Sequence, residues 1–304
     1  MFDLPILNKG DKVGVIAPAS PINEQTLNNG LNLLREWGLK PIVSSNISEN
    51  RGYLAGSDKD RAADINKMFN NLDISCIWSA CGGYGTPRIL DMLDYEMIKN
   101  NPKPFIGYSD ITALHLAFNK MTDMTTFHGP MVATELGNNP NQFTVNNIKN
   151  ILFGDNKNIR LENPESTPFK IINPGTAWGE LIGGNLSLLA ATIGSKYEVD
   201  TGDKVLFIEE VNEEPYRIDR MFAQLKNAGK FDQLRGLILG DFTGCTTETP
   251  SLTLSEIFED YFEEYDFPIL SGLQCGHSNS QIIIPIGKKA LIDTYKKEVL
   301  ISFK

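Results

Sequence analysis

The sequence predicts an α/β fold: an N-terminal open, mostly parallel sheet with flanking helices, followed by a second α/β domain. Two observations carry this expectation. Short buried-type strands alternate with amphipathic helices at the spacing of crossover units, and two strands run directly into turns of small residues, at 81–87 (CGGYGTP) and 107–110 (GYSD). With 304 residues the chain is long enough for two domains, each with its own core.

Taken in order, residues 12–17 (KVGVIA) form a strand that ends in Pro18-Ala19-Ser20-Pro21, and 23–37 form an amphipathic helix closed by Gly38. Residues 41–44 make the next strand, 58–70 a helix, and 75–79 (SCIWS) the strand that leads into the glycine loop. A helix over 88–93 and a strand at Phe105 and Ile106 follow, after which Ile111, Leu114, His115 and Phe118 recur at helical spacing. Residues 143–153 are helical. The stretch 155–174, rich in Asn, Pro and acids, loses periodicity and is expected to link an N-terminal domain, 1–154, to a C-terminal domain, 175–304. That domain opens with GGNLS at 183–187 and a small apolar helix. Strands are expected at 204–208, 236–240, 268–272, 282–286 and 299–303, and helices at 215–228 and 253–265.

In open sheets of this kind ligands bind beyond the carboxyl ends of the strands, where the glycine loop and Ser109 fall. A serine at a strand-to-helix corner projects its hydroxyl from the strand end, while unpaired helix N–H groups face any anion that forms beside it. This is the geometry of a nucleophile elbow. The G-x-S-x-G pattern is incomplete, because position 111 is isoleucine, and helix capping by Ser109 or Asp110 is the competing reading. Gly82, Gly83 and Gly85 lack the Lys-Ser/Thr of a P-loop, and the first strand's turn lacks G-x-G-x-x-G. They either let backbone amides approach a ligand or form only a tight turn.

A serine hydroxyl needs a base, and the base needs an orienting partner. Of the three histidines, His115 shares the apolar stripe of its helix and reads as a packed residue. His128, before Gly129-Pro130, and His277, in the polar loop 274–279, are the candidate bases, and His277 is preferred because packing is less natural in that loop. Glu209, after the strand KVLFI, is the candidate orienter, since an acid at the edge of a buried strand has to be paired or aimed at a site. A salt bridge to Arg217 or Arg220 would meet the same need. Glu210 is expected on the opposite face.

The formal net charge of −10 argues against nucleic acid as a partner and leaves small molecules or peptides. The opening MFDLPILNKGDK does not read as a secretory signal, and the most apolar window, 181–194, is too short and too interrupted to span a bilayer. No membrane partner and a cytoplasmic location are expected. Cys76, Cys81, Cys245 and Cys275 form no C-x-x-C pair and suit reduced thiols better than a disulfide framework or a zinc site.

Six segments in order, GGYG, GYSD, HGP, GGNLSLL, LFIEEVNEEPYRIDRMF and GHSNSQIIIPIG, resemble the LD-carboxypeptidase family of serine peptidases, over nearly the whole chain. The resemblance implies a β-rich α/β C-terminal domain and a homodimer. It implies a triad of Ser109, His277 and Glu209, an oxyanion hole from the backbone amides of Gly83 and Asp110, and no metal or other cofactor. The implied substrate is a small cytoplasmic muropeptide, from which D-alanine is cut from L-lysine or meso-diaminopimelate in cell-wall recycling. Tyr84, Arg88 and His128 are then candidates for substrate binding. Cys81 stands where many members carry arginine, so either Arg88 substitutes or the substrate differs.

A related group, the microcin-immunity peptidases, cuts aminoacyl-nucleotide amides and is expected to stack adenine on a tryptophan. Trp178 is the candidate here, with core or loop packing as its alternative role. Two further readings remain at this point: a non-catalytic ligand-binding protein, and a thiol hydrolase built on Cys81 and His277.

Overall fold

The structure is a computed structural model that describes residues 6–303; the leader reading rests partly on residues 1–5, outside that range. The chain divides into two compact units. One ends at Asn156 and includes Ile283–Ile286, and the other spans Lys157–Ile282 and resumes at Gly287.

The first unit runs β1 (Lys12–Ile16), α1 (Glu24–Glu36), β2 (Lys40–Val43), α2 (Asp58–Asn70), β3 (Ile74–Ser79), α3 (Tyr95–Asn100), β4 (Phe105–Gly107), α4 (Thr112–Thr122), β5 (Thr126–His128) and α5 (Gln142–Leu152). Side-chain caps start its helices: Asn23 accepts from Thr26 N–H, and Ser57 from Asp60 N–H. The helix expected over 88–93 is replaced by two 3-10 turns, Thr86–Arg88 and Leu90–Met92. The amides of the expected helix close tighter turns instead: Arg88 N–H donates to the Gly85 carbonyl at 3.3 Å, Ile89 N–H to the Thr86 carbonyl at 3.1 Å and Met92 N–H to the Ile89 carbonyl at 2.9 Å.

The second unit runs β6 (Asn158–Leu161), β7 (Lys170–Asn173), β8 (Thr176–Asn185), α6 (Leu186–Thr192), β9 (Lys204–Val211), α7 (Pro215–Asn227), β10 (Gly236–Thr243), α8 (Leu254–Phe262) and β11 (Ile269–Ser271). The chain then gives β12 (Ile284–Ile286) to the first unit and returns as β13 (Lys289–Asp293) and β14 (Glu298–Ser302). The expected linker at 155–174 therefore holds β6 and β7, which are the two outer strands of the second sheet. Their pattern was obscured by the turn-rich residues between them. Residues 176–185 and 289–293, not expected as strands, supply β8 and β13.

The first sheet has the order β12-β5-β4-β3-β1-β2, all parallel except the β12–β5 pair. β12 contains Pro285, which lacks an N–H and is tolerated at a sheet edge. The order reverses between β1 and β3, so the crevice beyond their carboxyl ends is the switch point at which such sheets bind ligands. The turn at Pro18–Pro21 and the glycine loop both open there. Phe105 and Phe118 pack edge to face at 4.9 Å in the core behind the sheet.

The second sheet has the order β6-β14-β13-β8-β9-β10-β11-β7, with β8 to β11 parallel. Phe222, Phe231 and Phe262 are fully buried and bind α7 and α8 into one aromatic cluster, with Phe231 and Phe262 at 5.2 Å. Among the described residues no helix is long and apolar enough to cross a membrane.

One contact in the first unit tests its packing. A Cβ on Gly30 of α1 would lie 1.9 Å from the Val132 carbonyl oxygen. Helix propensity favours alanine over glycine by about 1 kcal/mol, but a clash with backbone cannot be relieved by a rotamer change. Gly30→Ala is expected to destabilise by about 1–3 kcal/mol in urea unfolding; a stabilised variant would contradict this packing.

Candidate active site

In the first unit, β4 delivers the chain to Ser109, which is half-buried and has φ 63°. A non-glycine residue in this left-handed region costs of order 1–3 kcal/mol and persists where the surroundings enforce it. Tyr108, one residue earlier, donates its hydroxyl to Glu135 at 2.7 Å, and Glu135 also accepts from Met131 N–H at 2.8 Å. His115 Nε2–H donates to the Gly107 carbonyl at 2.7 Å. Both sides of the turn are thereby pinned.

Ile111 does not spoil the elbow, because room is made at Gly107 alone: a Cβ there would meet the Ile111 side chain at 2.9 Å. Neither Ser109 nor Asp110 caps a helix through its side chain; α4 begins without a side-chain cap.

The glycine loop lies against the serine. A Cβ on Gly82 would stand 3.0 Å from Ser109 Cβ and 3.3 Å from its Oγ, while one on Gly83 (φ 110°) would be 2.1 Å from Ser20 Oγ. Ser20 fixes the loop by accepting from Tyr84 N–H at 3.2 Å and donating its own N–H to the Gly82 carbonyl at 3.2 Å. Ser20 was not singled out from the sequence; its signal was only the small-residue turn after β1.

Tyr84 is about half exposed and meets Tyr53 edge-on at 5.7 Å. Arg88 is engaged by Asp58, to which it donates from Nε at 3.0 Å and Nη2 at 2.7 Å. His128 is fully buried at the end of β5, packed edge-on against Tyr108 at 5.7 Å and near His115 at 6.2 Å. This is the setting of a packed residue. Burial also pushes the His115 imidazole down to about 4, so it stays neutral at pH 7 as a packed residue.

Cys81 donates to the Ser20 carbonyl at 3.0 Å. Burial, reinforced by the charges of Glu135 and Asp110, pushes its thiol up to about 12. A thiol held protonated at neutral pH is a poor nucleophile, so the thiol-hydrolase reading loses its chemistry. The four cysteines are free.

In the second unit the structure brings Glu209 and His277 together. Glu209, in β9, has no solvent exposure, and His277 Nδ1 lies 2.9 Å from its Oε2. The carboxylate can only accept, so Nδ1 carries the proton and the neutral ring keeps its lone pair on Nε2, the tautomer a general base requires. Burial raises the Glu209 carboxyl above its ordinary value, and the hydrogen bond from His277 opposes that rise. The alternative salt bridges are absent: Arg217 lies 3.6 Å from Glu213 and 3.8 Å from Glu214, and Arg220 stacks over Tyr216.

Glu210 turns to the other face. It accepts from Asn185 Nδ2 at 2.9 Å, Ser187 N–H at 2.8 Å and Ser187 Oγ at 2.7 Å, and so anchors the start of α6. Two glycines make space for the dyad. A Cβ on Gly276 (φ 124°) would be 2.7 Å from Glu209 Oε2, and one on Gly240 would be 3.2 Å from Glu209 Cβ. Opposite Glu209 the β9–β10 register shifts between Leu239 and Phe242, a bulge that aims Asp241 at Gln274 Nε2, 2.9 Å away. The loop bearing His277 is held in this way, and neither Asp241 nor Gln274 was legible as a support from the sequence.

Trp178 is 55% exposed and so is not a core residue. It is near the opposite end of β8 from Asn185, which is level with Glu209. At about 3.3 Å per residue the two levels are roughly 20 Å apart along the strand, too far for a ring stacked beside the dyad. Among the described residues no group of three or more His, Cys, Asp or Glu side chains could hold a metal ion.

The dyad yields one expectation. A carboxyl whose folded value is raised stabilises the fold while protonated, below the ordinary carboxylate range, and that contribution is lost as pH rises through the raised value. Glu209→Gln is expected to cost about 10³-fold or more in activity, yet to gain stability relative to wild type between pH 5 and pH 8 in chemical denaturation. A relative loss of stability over that interval would show that the buried charge is not strained.

The LD-carboxypeptidase N-terminal domain matches residues 13–129, and the LD-carboxypeptidase C-terminal domain matches residues 178–292. A probable murein peptide carboxypeptidase of Bacillus subtilis (strain 168) is 43% identical over 97% of this chain and 93% of its own. The murein tetrapeptide carboxypeptidase of Pseudomonas aeruginosa is 30% identical over 93% of each chain. Among solved structures, the microcin C7 self-immunity protein MccF in complex with aspartyl sulfamoyl adenosine superposes with a TM-score of 0.92 at 27% identity, covering 100% of this chain and 99% of that one. With both domains matched in order and the likeness extending along nearly the entire chain, this protein belongs to the LD-carboxypeptidase family.

Proposed function

We propose that this protein is a serine-type LD-carboxypeptidase that removes the terminal D-alanine from muropeptide tetrapeptides, with Ser109 as nucleophile, His277 as general base and Glu209 as its orienter. The observation that carries the reading is the fully buried Glu209 carboxylate held 2.9 Å from His277 Nδ1. The left-handed backbone of Ser109 adds the nucleophile's side of it. The names of the Bacillus and Pseudomonas relatives support murein peptide as the substrate class.

In this mechanism His277 Nε2 takes the Ser109 proton as Oγ attacks the carbonyl carbon bonded to D-alanine. The N–H groups of Gly83 and Asp110 receive the oxyanion. The imidazolium passes its proton to the leaving amine, which departs as D-alanine, and water attacks the acyl-enzyme with His277 again acting as base. Glu209 holds the ring and favours its charged form. The acyl side is L-lysine or meso-diaminopimelate, the setting is cytoplasmic cell-wall recycling, and the working form is a homodimer. Tyr84, exposed beside the loop, is the residue we assign to substrate contact. Arg88 would have to leave Asp58 to join it.

A second reading, cleavage of aminoacyl-nucleotide amides, is favoured by the likeness to MccF; the place of Trp178 along β8 speaks against stacking of a base on it. D-Alanine release from L-Ala-γ-D-Glu-L-Lys-D-Ala and from its meso-diaminopimelate counterpart, beside hydrolysis of aspartyl sulfamoyl adenosine, decides between them. Ser109→Ala is expected to lower D-alanine release by about 10⁴-fold or more. Undiminished release by that variant would remove Ser109 from the mechanism, turnover of the adenosine compound alone would establish the second reading, and turnover of neither by wild type would leave a binding protein.

A further inference from the structure

We propose that the Asp110 side chain, with Arg61, is a positioning device that sets the glycine loop against Ser109. This rests on the reading of Ser109 as the nucleophile and Gly83 as an oxyanion donor, and it gives Asp110 a task separate from that of its backbone amide. Asp110 and Arg61 are each 1% exposed, a burial that neither charge would reach on an exposed turn.

The loop is gripped at two adjacent residues, Gly85 and Thr86. The Gly85 carbonyl accepts from Arg61 Nη1 at 2.9 Å. The next amide, of Thr86, donates to Asp110 Oδ2 at 2.8 Å, and the Thr86 hydroxyl donates to the Asp110 carbonyl at 2.5 Å. Arg61 also donates to the Pro18 carbonyl at 2.5 Å and pairs with Asp58, tying the loop to the turn after β1. A Cβ on Gly85 (φ 136°) would lie 2.7 Å from Arg61 Nη1, so the grip requires glycine there.

The chemistry explains why the grip acts on catalysis and not only on folding. Asp110 follows Ser109 directly, so the residue that holds the loop is covalently joined to the nucleophile. Any shift of its carboxylate moves Gly85 and Thr86, and through them the amides of Gly82 and Gly83, relative to Ser109 Oγ. Transition-state stabilisation depends on where those donors point, and misplacement of about 1 Å can cost 10²-fold. Ground-state binding of the peptide does not depend on the oxyanion donors, so the effect falls on kcat.

The test compares Asp110→Asn, Asp110→Ala, Arg61→Lys and Thr86→Val with wild type for D-alanine release and for the rate at which a fluorophosphonate labels Ser109. For Asp110→Asn and Arg61→Lys, kcat and labelling are expected to fall together by about 10- to 100-fold, with KM changed less than about threefold. Asp110→Ala falls further, so that asparagine recovers part of the loss. If a buried-charge variant fails to fold, Thr86→Val, which removes one neutral bond, is expected to lose about three- to tenfold in kcat. A kcat within about twofold of wild type in folded Asp110→Asn or in Thr86→Val would overturn the proposal, as would a loss carried by KM. Activity persisting in Ser109→Ala would defeat the nucleophile reading instead; an inactive Ser109→Ala beside a normal Asp110→Asn would defeat the positioning role alone.

Discussion

A carboxylate with no solvent exposure organises the second unit. Moving such a group out of water costs several kcal/mol unless a partner answers it, and Glu209 has its answer in His277 Nδ1 at 2.9 Å. The surroundings follow from keeping that pair intact. Gly276 and Gly240 leave the volume the carboxylate occupies, and Gly183, where a Cβ would be 1.9 Å from the Phe207 carbonyl oxygen, lets β8 run tight against β9. The neighbouring acid, Glu210, is satisfied separately by hydrogen bonds from Asn185, Ser187 and the backbone of Val211. Two adjacent glutamates on one strand thus have different work, because successive side chains of a strand face opposite ways.

The first unit holds a different kind of stored cost, a serine in left-handed backbone. Residues around Ser109 enforce it through bonds that compete with relaxation: Tyr108 to Glu135, His115 to Gly107, and the turn bond from Ile111 N–H to the Tyr108 carbonyl at 3.2 Å. The same crowding keeps Cys81 a protonated thiol beside the acids Glu135 and Asp110. Of the two potential nucleophiles near the glycine loop, only the serine occupies the strained corner from which an oxygen can be presented. The topological switch between β1 and β3 explains why the loop and the Ser20 turn meet at this edge and not at another.

Much of this was legible in the sequence where chemistry and local pattern coincide. The strand-to-helix change at GYSD located Ser109, the buried run KVLFI ending in acid located Glu209, and a histidine in a polar loop between strands located His277. The order of strands and helices in the first unit followed from periodicity. Residues 155–174 misled because β6 and β7 are four residues each, at the outer positions of their sheet, with too few turns of the pattern for alternation to show. A tryptophan near a glycine-rich segment likewise says nothing of which end of a ten-residue strand it occupies.

By itself the sequence determined the alternating α/β architecture, the three candidate residues of the triad and the likeness that binds them into one family, because each depends on residue type and local spacing. Only the tertiary structure decided which acid of the Glu209-Glu210 pair faces His277, that His128 is buried beside Tyr108, and that Arg61 and Asp110 hold the glycine loop at Gly85 and Thr86. Those outcomes depend on contacts between segments distant in the chain, such as the 68-residue separation between Glu209 and His277, and hydrogen bonds at that range leave no periodic trace in the residues that make them.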